Sequence, residues 1–480
     1  MDYITSKFKN PFHKSDVSNL NSSPSIPDGL TPEQTTIYKD IIRIVSARSQ
    51  GYEIPHVVVI TDIGKDYDDL TAMILLKELH RLGAIKLEGF IANLTPEDLR
   101  AHLARKALDL LGLRDIPVGR GTKGEPPIPK KDGDTYKPPP AYEFPEGIMG
   151  KEPYPAQKKG IDLLRQLVKN AKKSGYKLTF LLLSSLQDIT EFKRSLQRYS
   201  NSQSLLLEQI TSKVILQGAY HLKTKYHLKT KRRYSLYTAS PQRYTVLVAD
   251  SVANNDAMRS DAEEFHNFLY QQGVPSVVYT RNAAFETPLT YTIFKDLAAT
   301  KHPLGVALYD IEKRQNLAYY AGACRVDGEG NPNPVVEGRN QKWFLENRST
   351  FYDNPLLDKE ILPDPSPEKE AILPFCKVIV YDALAALGTS GDDILDALDV
   401  LRDPDYDNAI VHSKLHRVVG IDPEIRKQAA IENRIPLADE QASASLAGTN
   451  PERMKNVIEA LLIGSLLASN AENASKRIRH

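Results

Sequence analysis

From residue 53 onward, the chain alternates short apolar runs with amphipathic stretches. Runs rich in β-branched residues are typical of buried strands, whereas apolar residues spaced three and four positions apart predict helices. Strands are predicted at residues 57–60, 86–92, 178–183, 213–216, 245–248, 276–279 and 377–380. Helices are predicted at residues 69–82, 96–111, 160–173, 261–271 and 451–469. This alternation predicts an α/β fold with a doubly wound, mostly parallel central sheet and flanking helices.

The chain is expected to form one domain with three insertions. Residues 1–52 are polar, so they are predicted to be mostly disordered apart from a short helix within residues 34–48. Residues 53–480 are predicted to form a single domain, interrupted by insertions at about 124–155, 220–243 and 311–369. The first insertion contains nine prolines and can therefore form little regular structure.

The other two insertions carry side chains that could bind a ligand. The second contains a direct repeat at 221–231, HLKTKY followed by HLKTK, which runs into Arg232 and Arg233 and gives the basic segment Lys223–Arg233. Such a segment could bind a phosphate, although a solvated charged loop is the favoured interpretation. The third contains the only tryptophan, Trp343, whose ring would either stack on a flat ligand or pack in the core.

Composition limits the classes of partner. The 480 residues carry a formal net charge of +1, which gives no reason to expect a nucleic-acid or membrane partner. Cys324 and Cys376 lie far apart in the sequence, so neither a disulfide framework nor a zinc site is expected, and a reducing compartment is favoured. No apolar stretch has the length of a membrane span. We therefore expect a soluble, cytoplasmic protein.

Four aspartates within eight positions are the most informative feature. Asp62, Asp66, Asp68 and Asp69 follow the apolar run 57–60 and precede an apolar helix. They therefore fall at the carboxyl end of a strand, where open α/β sheets bind ligands. Carboxylates this close repel one another unless solvent or a hard divalent cation lies among them. The cluster thus indicates a metal or catalytic site, with a solvated acidic loop as the alternative.

The segment ITDIGKDYDD, residues 60–69, resembles the metal-binding signature of the inosine-uridine-preferring nucleoside hydrolases. It is closest to a divergent branch that includes fungal homologues and nucleoside-hydrolase-like bacterial effectors. Four further motifs resemble that family in the same order along the chain, over roughly residues 55–470. They are FLLLSSLQDI at 180–189, VILQGA at 214–219, ANN at 253–255 and VYDALA at 380–385.

This resemblance implies a calcium-dependent N-ribohydrolase that cleaves the N-glycosidic bond of a ribonucleoside or a derivative. It implies Ca²⁺ ligands from the side chains of Asp62, Asp69 and Asp382 and from the main-chain carbonyl of Gln187. Calcium prefers six to eight oxygen ligands, so places remain for ribose hydroxyls and a water whose pKa the metal lowers. A homo-oligomer is also compatible with the family.

The resemblance also implies which residues act on the substrate. Asp68 would be the general base, with Asp66 as the alternative. The substrate-binding residues would be Asn254, Asn255, Tyr381 and, by its aromatic character, Trp343.

The chain departs from the family pattern at several positions. Tyr381 stands where many members have a histidine that assists departure of the base, and Gln217 interrupts a glycine pair. Two additional residues separate Gly64 from Asp68-Asp69. Because tyrosine is a much weaker acid than histidine, an alternative function stays open. In that alternative, the protein is a weakened or inactive module that binds a ribosylated ligand such as ADP-ribose or a nucleotide.

Overall fold

A parallel sheet forms the centre of the fold in the computed structural model. The structure describes residues 24–49, 51–64, 66–124, 144–198, 206–218, 220–227, 242–249, 253–256, 258–401, 415–420 and 448–478. The strands are β1 (His56–Thr61), β2 (Lys86–Ala92), β3 (Val118–Arg120), β4 (Lys158–Lys159), β5 (Leu178–Leu182), β6 (Thr211–Gln217), β7 (Tyr220–His227), β8 (Gln242–Ala249), β9 (Ser276–Tyr279), β10 (Leu289–Thr290), β11 (Lys377–Val378) and β12 (His416–Val419).

Eight of these strands form the main sheet, in the order β12-β9-β6-β5-β1-β2-β3-β4, and β1 lies near its middle. Every neighbouring pair in this sheet is parallel. In the register, Ile60 at the end of β1 lies between Ile91 and Leu182. The carboxyl ends of the central strands therefore meet at one edge of the sheet.

Helices cover both faces of the sheet. The α-helices are α1 (Pro32–Ala47), α2 (Asp68–Arg81), α3 (Glu97–Leu110), α4 (Glu146–Met149), α5 (Gly160–Ser174), α6 (Gln187–Arg198), α7 (Leu207–Ile210), α8 (Ala253–Asp256), α9 (Arg259–Gln272), α10 (Arg281–Glu286), α11 (Thr292–Ala299), α12 (Pro303–Ala323), α13 (Gln341–Asn347), α14 (Tyr381–Leu387), α15 (Asp392–Ala397) and α16 (Pro451–Ile478). Among the described residues, 3₁₀ turns span Pro367–Lys369, Leu373–Phe375 and Gly388–Ser390.

The apolar run of β1 is buried on both sides because successive side chains of a strand point to opposite faces. Val57 and Val59 belong to the core that is shared with α2, α3, α14 and α16. Val58 and Ile60 belong to the core that is shared with α5, α6 and α9. The predicted doubly wound α/β fold is therefore confirmed.

Several elements differ from the sequence-based expectations. The predicted strand at 377–380 is shorter, because β11 ends at Val378 and pairs antiparallel with β10 outside the main sheet. The predicted strand at 245–248 lies in β8, which pairs antiparallel with β7 in a separate two-stranded sheet. Short strands such as β4 carry too few residues for an apolar pattern, so sequence periodicity missed them.

The short helix expected within residues 34–48 is present as α1, which begins at Pro32. Thr31 caps α1 with both hydrogen bonds of a capping box, and Ile37, Tyr38 and Ile41 of this helix are buried. The prediction of disorder for the first 23 residues lies outside the described part of the chain, as do most of the proline-rich residues at 124–155. None of the described helices is both long and apolar enough to cross a membrane.

The turn after β1 requires a glycine at position 64. Gly64 has a φ of +92°, and a β-carbon there would lie 2.8 Å from the Phe144 ring and 3.1 Å from Leu103. We expect Gly64→Ala to lower the free energy of unfolding by about 1–3 kcal/mol more than Gly51→Ala, measured by urea denaturation. Gly51 is a matched control because it has a φ of +107° but no atom within 4 Å of a β-carbon. Equal losses for the two variants would contradict a role for the packing contact.

Candidate functional site

The acidic turn lies at the carboxyl edge of the sheet. Strand β1 ends at Thr61 and α2 begins at Asp68, so Asp62 and Asp66 occupy the connection between them. The Asp66 carboxylate accepts a hydrogen bond of 3.1 Å from the main-chain N–H of Asp68, the first residue of α2. Asp68 and Asp69 lie in the first turn of that helix, where its dipole favours negative charge.

Asp382 reaches the same place from a distant part of the chain. It lies in the first turn of α14, and its main-chain N–H donates a hydrogen bond of 3.2 Å to Oδ1 of Asp68. Helix α14 packs against α2 through small and aliphatic side chains such as Ala383 and Leu384, both of which are buried. The fold therefore places the late aspartate directly beside the early acidic turn.

These residues line a cavity of about 210 Å³. Its lining consists of the five aspartates together with neutral residues and one arginine, namely Asp62, Asp66, Asp68, Asp69, Asp382, Leu183, Gln217, Gly218, Asn254, Tyr381 and Arg281. A larger cavity of about 570 Å³ lies at the opposite, amino edge of the strands beside His56 and Ser212. We regard the smaller one as the functional site because the acids converge there and because α/β sheets bind ligands at the carboxyl edge.

Burial makes the acid cluster electrostatically unfavourable. Asp62, Asp68, Asp69 and Asp382 are each 5 % exposed or less. Burial raises the pKa of Asp68 well above its usual value, and the neighbouring carboxylates of Asp66 and Asp69 raise it further. The pKa of Asp382 is raised well above its usual value by burial and then by the charges of Asp68 and Asp69. The cavity therefore favours a bound cation or a proton.

Neutral and cationic groups hold the acidic turn in place. The Arg100 guanidinium donates to the main-chain carbonyls of Asp62 at 2.5 Å and Ile63 at 3.1 Å. The Thr61 hydroxyl donates to the Asp69 carboxylate. Sequence reasoning missed these supporting residues. Arg100 had a usable signal, because it is a charged residue on the apolar face of a predicted helix.

A tyrosine ties the acidic turn to the segment that precedes α14. The Tyr67 hydroxyl donates to the carbonyl of Ile379 at 3.3 Å and accepts from its N–H at 3.2 Å. Tyr67 is buried and packs edge-on against Phe294. The relative position of the early and late aspartates is thus fixed by main-chain contacts as well as by helix packing.

Asn254 is held beside the acids in a defined orientation. Its Nδ2 donates to the main-chain carbonyl of Leu183 at 2.9 Å and to Oε1 of Gln217 at 2.6 Å. All three residues line the cavity. The neighbouring Asn255 is buried but is not among the described residues that line it.

The structure places Gln187 differently from the sequence-based interpretation. Gln187 begins α6, and its side chain donates to Glu191 at 2.9 Å. It is absent from the described lining of the cavity, whereas Leu183 at the end of β5 is present. A main-chain carbonyl from this strand is therefore available at the cavity from Leu183, four residues before the predicted position.

The aromatic residues also separate into two groups. Tyr381 lines the cavity, and its role in binding a substrate stays a prediction. Trp343 instead belongs with Tyr319 and Phe344 in a peripheral aromatic cluster, where the Arg339 guanidinium lies 5.1 Å from its ring. Among the described residues Trp343 does not line the cavity, so it takes the core role that was its alternative.

The donor chemistry of the cavity fits a hard cation such as Ca²⁺. The side chains of Asp62, Asp69 and Asp382 offer only oxygen, the ligand atom that calcium prefers. As they stand, however, no three carboxylate, imidazole or thiol groups in the described ranges are gathered closely enough to hold a metal ion. The five carboxylates surround the cavity without forming a closed ligand shell.

Comparison with known proteins identifies the fold. No family model matches the sequence, and no curated protein matches it. The effector protein XOO4466 is similar in structure, with a TM-score of 0.62 and 17% identity over 91% of this chain and 99% of that one. The type III effector XopQ, solved in complex with adenosine diphosphate ribose, has a TM-score of 0.59 and 16% identity with the same coverage. The chain shares the fold of these two effectors.

Ribonucleoside hydrolases are more distant structural neighbours. The purine-preferring ribonucleoside hydrolase from Gardnerella vaginalis has a TM-score of 0.46 and 14% identity, and the match covers 86% of this chain and 99% of that one. At such identities the comparisons establish the fold alone, so the assignment of chemistry depends on the residues of the cavity.

The raised carboxyl pKa values predict how stability depends on pH. Between the unfolded pKa near 4 and the raised folded pKa of Asp382, the folded state binds more protons than the unfolded state. This contribution to stability is therefore fully present below about pH 4 and is lost as pH rises through the folded pKa. In chelator-treated protein, we expect Asp382→Asn to flatten the fall in unfolding free energy between pH 5 and pH 7, measured by urea denaturation.

Asp162→Asn, on the exposed surface of α5, is the control and should leave the wild-type slope unchanged. Equal slopes for wild type and Asp382→Asn would show that the buried carboxylate does not titrate as the geometry requires. Other buried groups contribute the same background to each variant, so the comparison isolates Asp382.

Proposed function

We propose that this protein is a nucleoside-hydrolase-like enzyme that hydrolyses the N-glycosidic bond of a ribonucleoside or a derivative, with Ca²⁺ as its cofactor. One observation carries the proposal. The acidic turn after β1, the start of α14 and the amide of Asn254 converge on a single cavity at the carboxyl edge of the sheet. This is the set of groups that cleavage of a ribosyl bond requires: acids around a developing cation, a base for water and a ligand for the sugar.

Asp62, Asp69 and Asp382 would hold the calcium ion, together with a main-chain carbonyl for which Leu183 replaces the predicted Gln187. When bound, the ion would neutralise the cluster and lower the pKa of a water molecule. The Leu183 carbonyl already accepts from Asn254, but a carbonyl oxygen has a second lone pair for another partner.

Asp68 is the proposed general base. Its carboxylate is held by the main-chain N–H of Asp382, which fixes its orientation and lowers the pKa against the effect of burial. Asp66 also lines the cavity, but its carboxylate is engaged by the main-chain N–H of Asp68. The deeper burial of Asp68 and its contact with α14 therefore favour Asp68 as the proton acceptor.

Asn254 is proposed to bind the sugar through its carbonyl oxygen. Its amide N–H groups are used by Leu183 and Gln217, which leaves Oδ1 as an acceptor for a ribose hydroxyl. The surrounding carboxylates would stabilise the positive charge that develops on the ribose when the glycosidic bond breaks.

The hydrolase proposal predicts metal-dependent release of free base. We expect protein incubated with adenosine, inosine, uridine or cytidine and Ca²⁺ to release ribose, with loss of turnover after chelation and recovery when Ca²⁺ is restored. Asp69→Ala and Asp382→Asn should each lower the rate by about 100-fold or more, as for the loss of a group that stabilises developing charge. Asp162→Asn should retain wild-type turnover. Turnover that is insensitive to chelator and to Asp69→Ala would refute the metal role.

A second candidate function is binding of a phosphorylated ribosyl ligand without hydrolysis. Arg281 is the only cation among the described lining residues, and it is exposed to solvent at the cavity mouth. A neutral nucleoside has no anionic group to form a charge-assisted bidentate pair with a guanidinium, whereas a phosphate does. The complex of the structural neighbour XopQ with adenosine diphosphate ribose motivates the same ligand class here.

This candidate predicts a charge-dependent preference. We expect Arg281→Gln to weaken binding of ADP-ribose by about tenfold, or about 1.4 kcal/mol, while leaving the affinity for adenosine unchanged in isothermal titration. Arg165→Gln, which removes an arginine from the exposed side of α5, is the control. The same affinity ratio in wild type and Arg281→Gln would exclude Arg281 from phosphate recognition.

A further inference from the structure

Arg348 joins the third insertion to the cavity. It follows the last residue of α13, and its N–H donates to the Phe344 carbonyl at 2.7 Å. Its own carbonyl accepts from the N–H of Lys377 at 2.9 Å, four residues before Tyr381. The main chain of Arg348 is therefore anchored on both sides, and its side chain starts from a fixed position.

The guanidinium of Arg348 lies in an aromatic enclosure, within electrostatic range of Asp66. It lies 5.0 Å from the Phe285 ring centroid and 5.7 Å from that of Tyr319, and it donates a hydrogen bond of 3.2 Å to the Tyr381 hydroxyl. In the described part of the chain it forms no ion pair with a carboxylate, and its Nε has no hydrogen-bond partner. Burying a guanidinium without a paired carboxylate carries a desolvation cost. Retaining Arg348 at this position therefore suggests that its hydrogen bond to Tyr381 matters to the site.

The direction of this hydrogen bond determines what Tyr381 can do. Arginine can only donate hydrogen bonds, so the phenolic oxygen of Tyr381 is the acceptor. The single O–H of the phenol must then be donated to another group. Tyr381 lines the cavity, and the edge of its ring is held against Phe285 with centroids 6.2 Å apart. The remaining charged groups that act on Tyr381 are Asp68, Asp66 and Arg339.

We propose that Arg348 is a positioning residue that fixes Tyr381 as a hydrogen-bond donor toward an acceptor atom of the ligand. The inference rests on the proposed function only in that a ribosylated ligand occupies this cavity. It assigns to the third insertion a part in ligand recognition that acts through Arg348 and not through Trp343. The acceptor would be a ring nitrogen of the base or an oxygen of the sugar.

The orientation of Tyr381 in ligand-free protein is the first test. We expect crystal structures of Arg348→Met to show the Tyr381 ring in more than one orientation, whereas wild type shows one. Arg339→Met is the matched control, because Arg339 donates to the Tyr319 hydroxyl at 3.0 Å and lies on Trp343 in the same insertion without contacting Tyr381. An unchanged single orientation of Tyr381 in Arg348→Met would overturn the proposal.

Coupling between the two residues is the second test. With adenosine as the probe, we expect Arg348→Met and Tyr381→Phe each to weaken binding by about tenfold, and the double variant to be no weaker than Tyr381→Phe alone. Arg348→Lys keeps a donor and should restore part of the affinity, which a purely structural role would not predict. Additive losses in the double variant would overturn the proposal.

The two tests separate the possible failures. If wild type binds no ribosylated probe, the proposed function fails, while the orientation of Tyr381 still decides the role of Arg348. If Arg348→Met does not fold, Arg348→Lys in the wild-type and Tyr381→Phe backgrounds provides the same comparison. A loss in Arg348→Lys that persists undiminished in Tyr381→Phe would then count against the proposal.

Discussion

The burial of several carboxylates in one small cavity is the constraint on which the rest of the structure depends. Asp62, Asp68, Asp69 and Asp382 are almost completely removed from water, and each raises the cost of ionising its neighbours. A hydrophobic core would not tolerate such a cluster without compensation. The positive end of the α2 dipole, the N–H groups at the start of α14 and the Thr61 hydroxyl supply part of that compensation. The repulsion among the carboxylates that these groups do not offset would be offset by a bound cation or ligand. For this reason the cluster indicates a functional site.

Contacts from the surrounding scaffold hold the main chain of the aspartates in place against their mutual repulsion. Repelling groups move apart unless the backbone that carries them is held, and here it is held from several directions. Arg100 fixes the carbonyls at the end of β1, and Tyr67 fixes the segment before α14 through both of its hydroxyl hydrogen bonds. Apolar packing of α14 on α2 then sets the distance between the two acidic segments. The energy that holds the acids together therefore comes from the core, which does not itself contact a ligand.

The sequence predicts the parts of this site that belong to regular elements. A β-branched run, an acidic turn and an apolar helix determine where Asp62 and Asp69 lie, since parallel strands place their carboxyl ends at one edge. The residue that offers its main-chain carbonyl to the cavity could not be predicted in the same way. Every residue has a main-chain carbonyl, so the residue type gives no information about it. Leu183, and not the predicted Gln187, is among the described residues that line the cavity.

Trp343 shows a related limit of sequence reasoning. Its aromatic ring drew attention to the third insertion, whereas Arg348, five positions later, is the residue that donates a hydrogen bond to Tyr381 in the lining of the cavity. That contact depends on how α12 and α13 pack against each other and on where α13 ends, and no periodicity in the sequence encodes either. A segment without strong periodicity can thus be predicted to contribute to a site, although the sequence does not show which of its residues does so.

The first two residues of α14 connect the acid cluster with the proposed ligand contact. Tyr381 and Asp382 are consecutive, and both depend on the same short piece of backbone that Tyr67 secures at Ile379. The main-chain N–H of Asp382 donates a hydrogen bond to the Asp68 carboxylate. The Tyr381 hydroxyl accepts a hydrogen bond from Arg348, so its own O–H is available to donate to a different group. A shift of this helix start would alter the acid geometry and the direction of the phenol together. Because a phenol is a much weaker acid than an imidazolium, the role proposed for Tyr381 depends on the direction of its hydrogen bond and not on proton transfer.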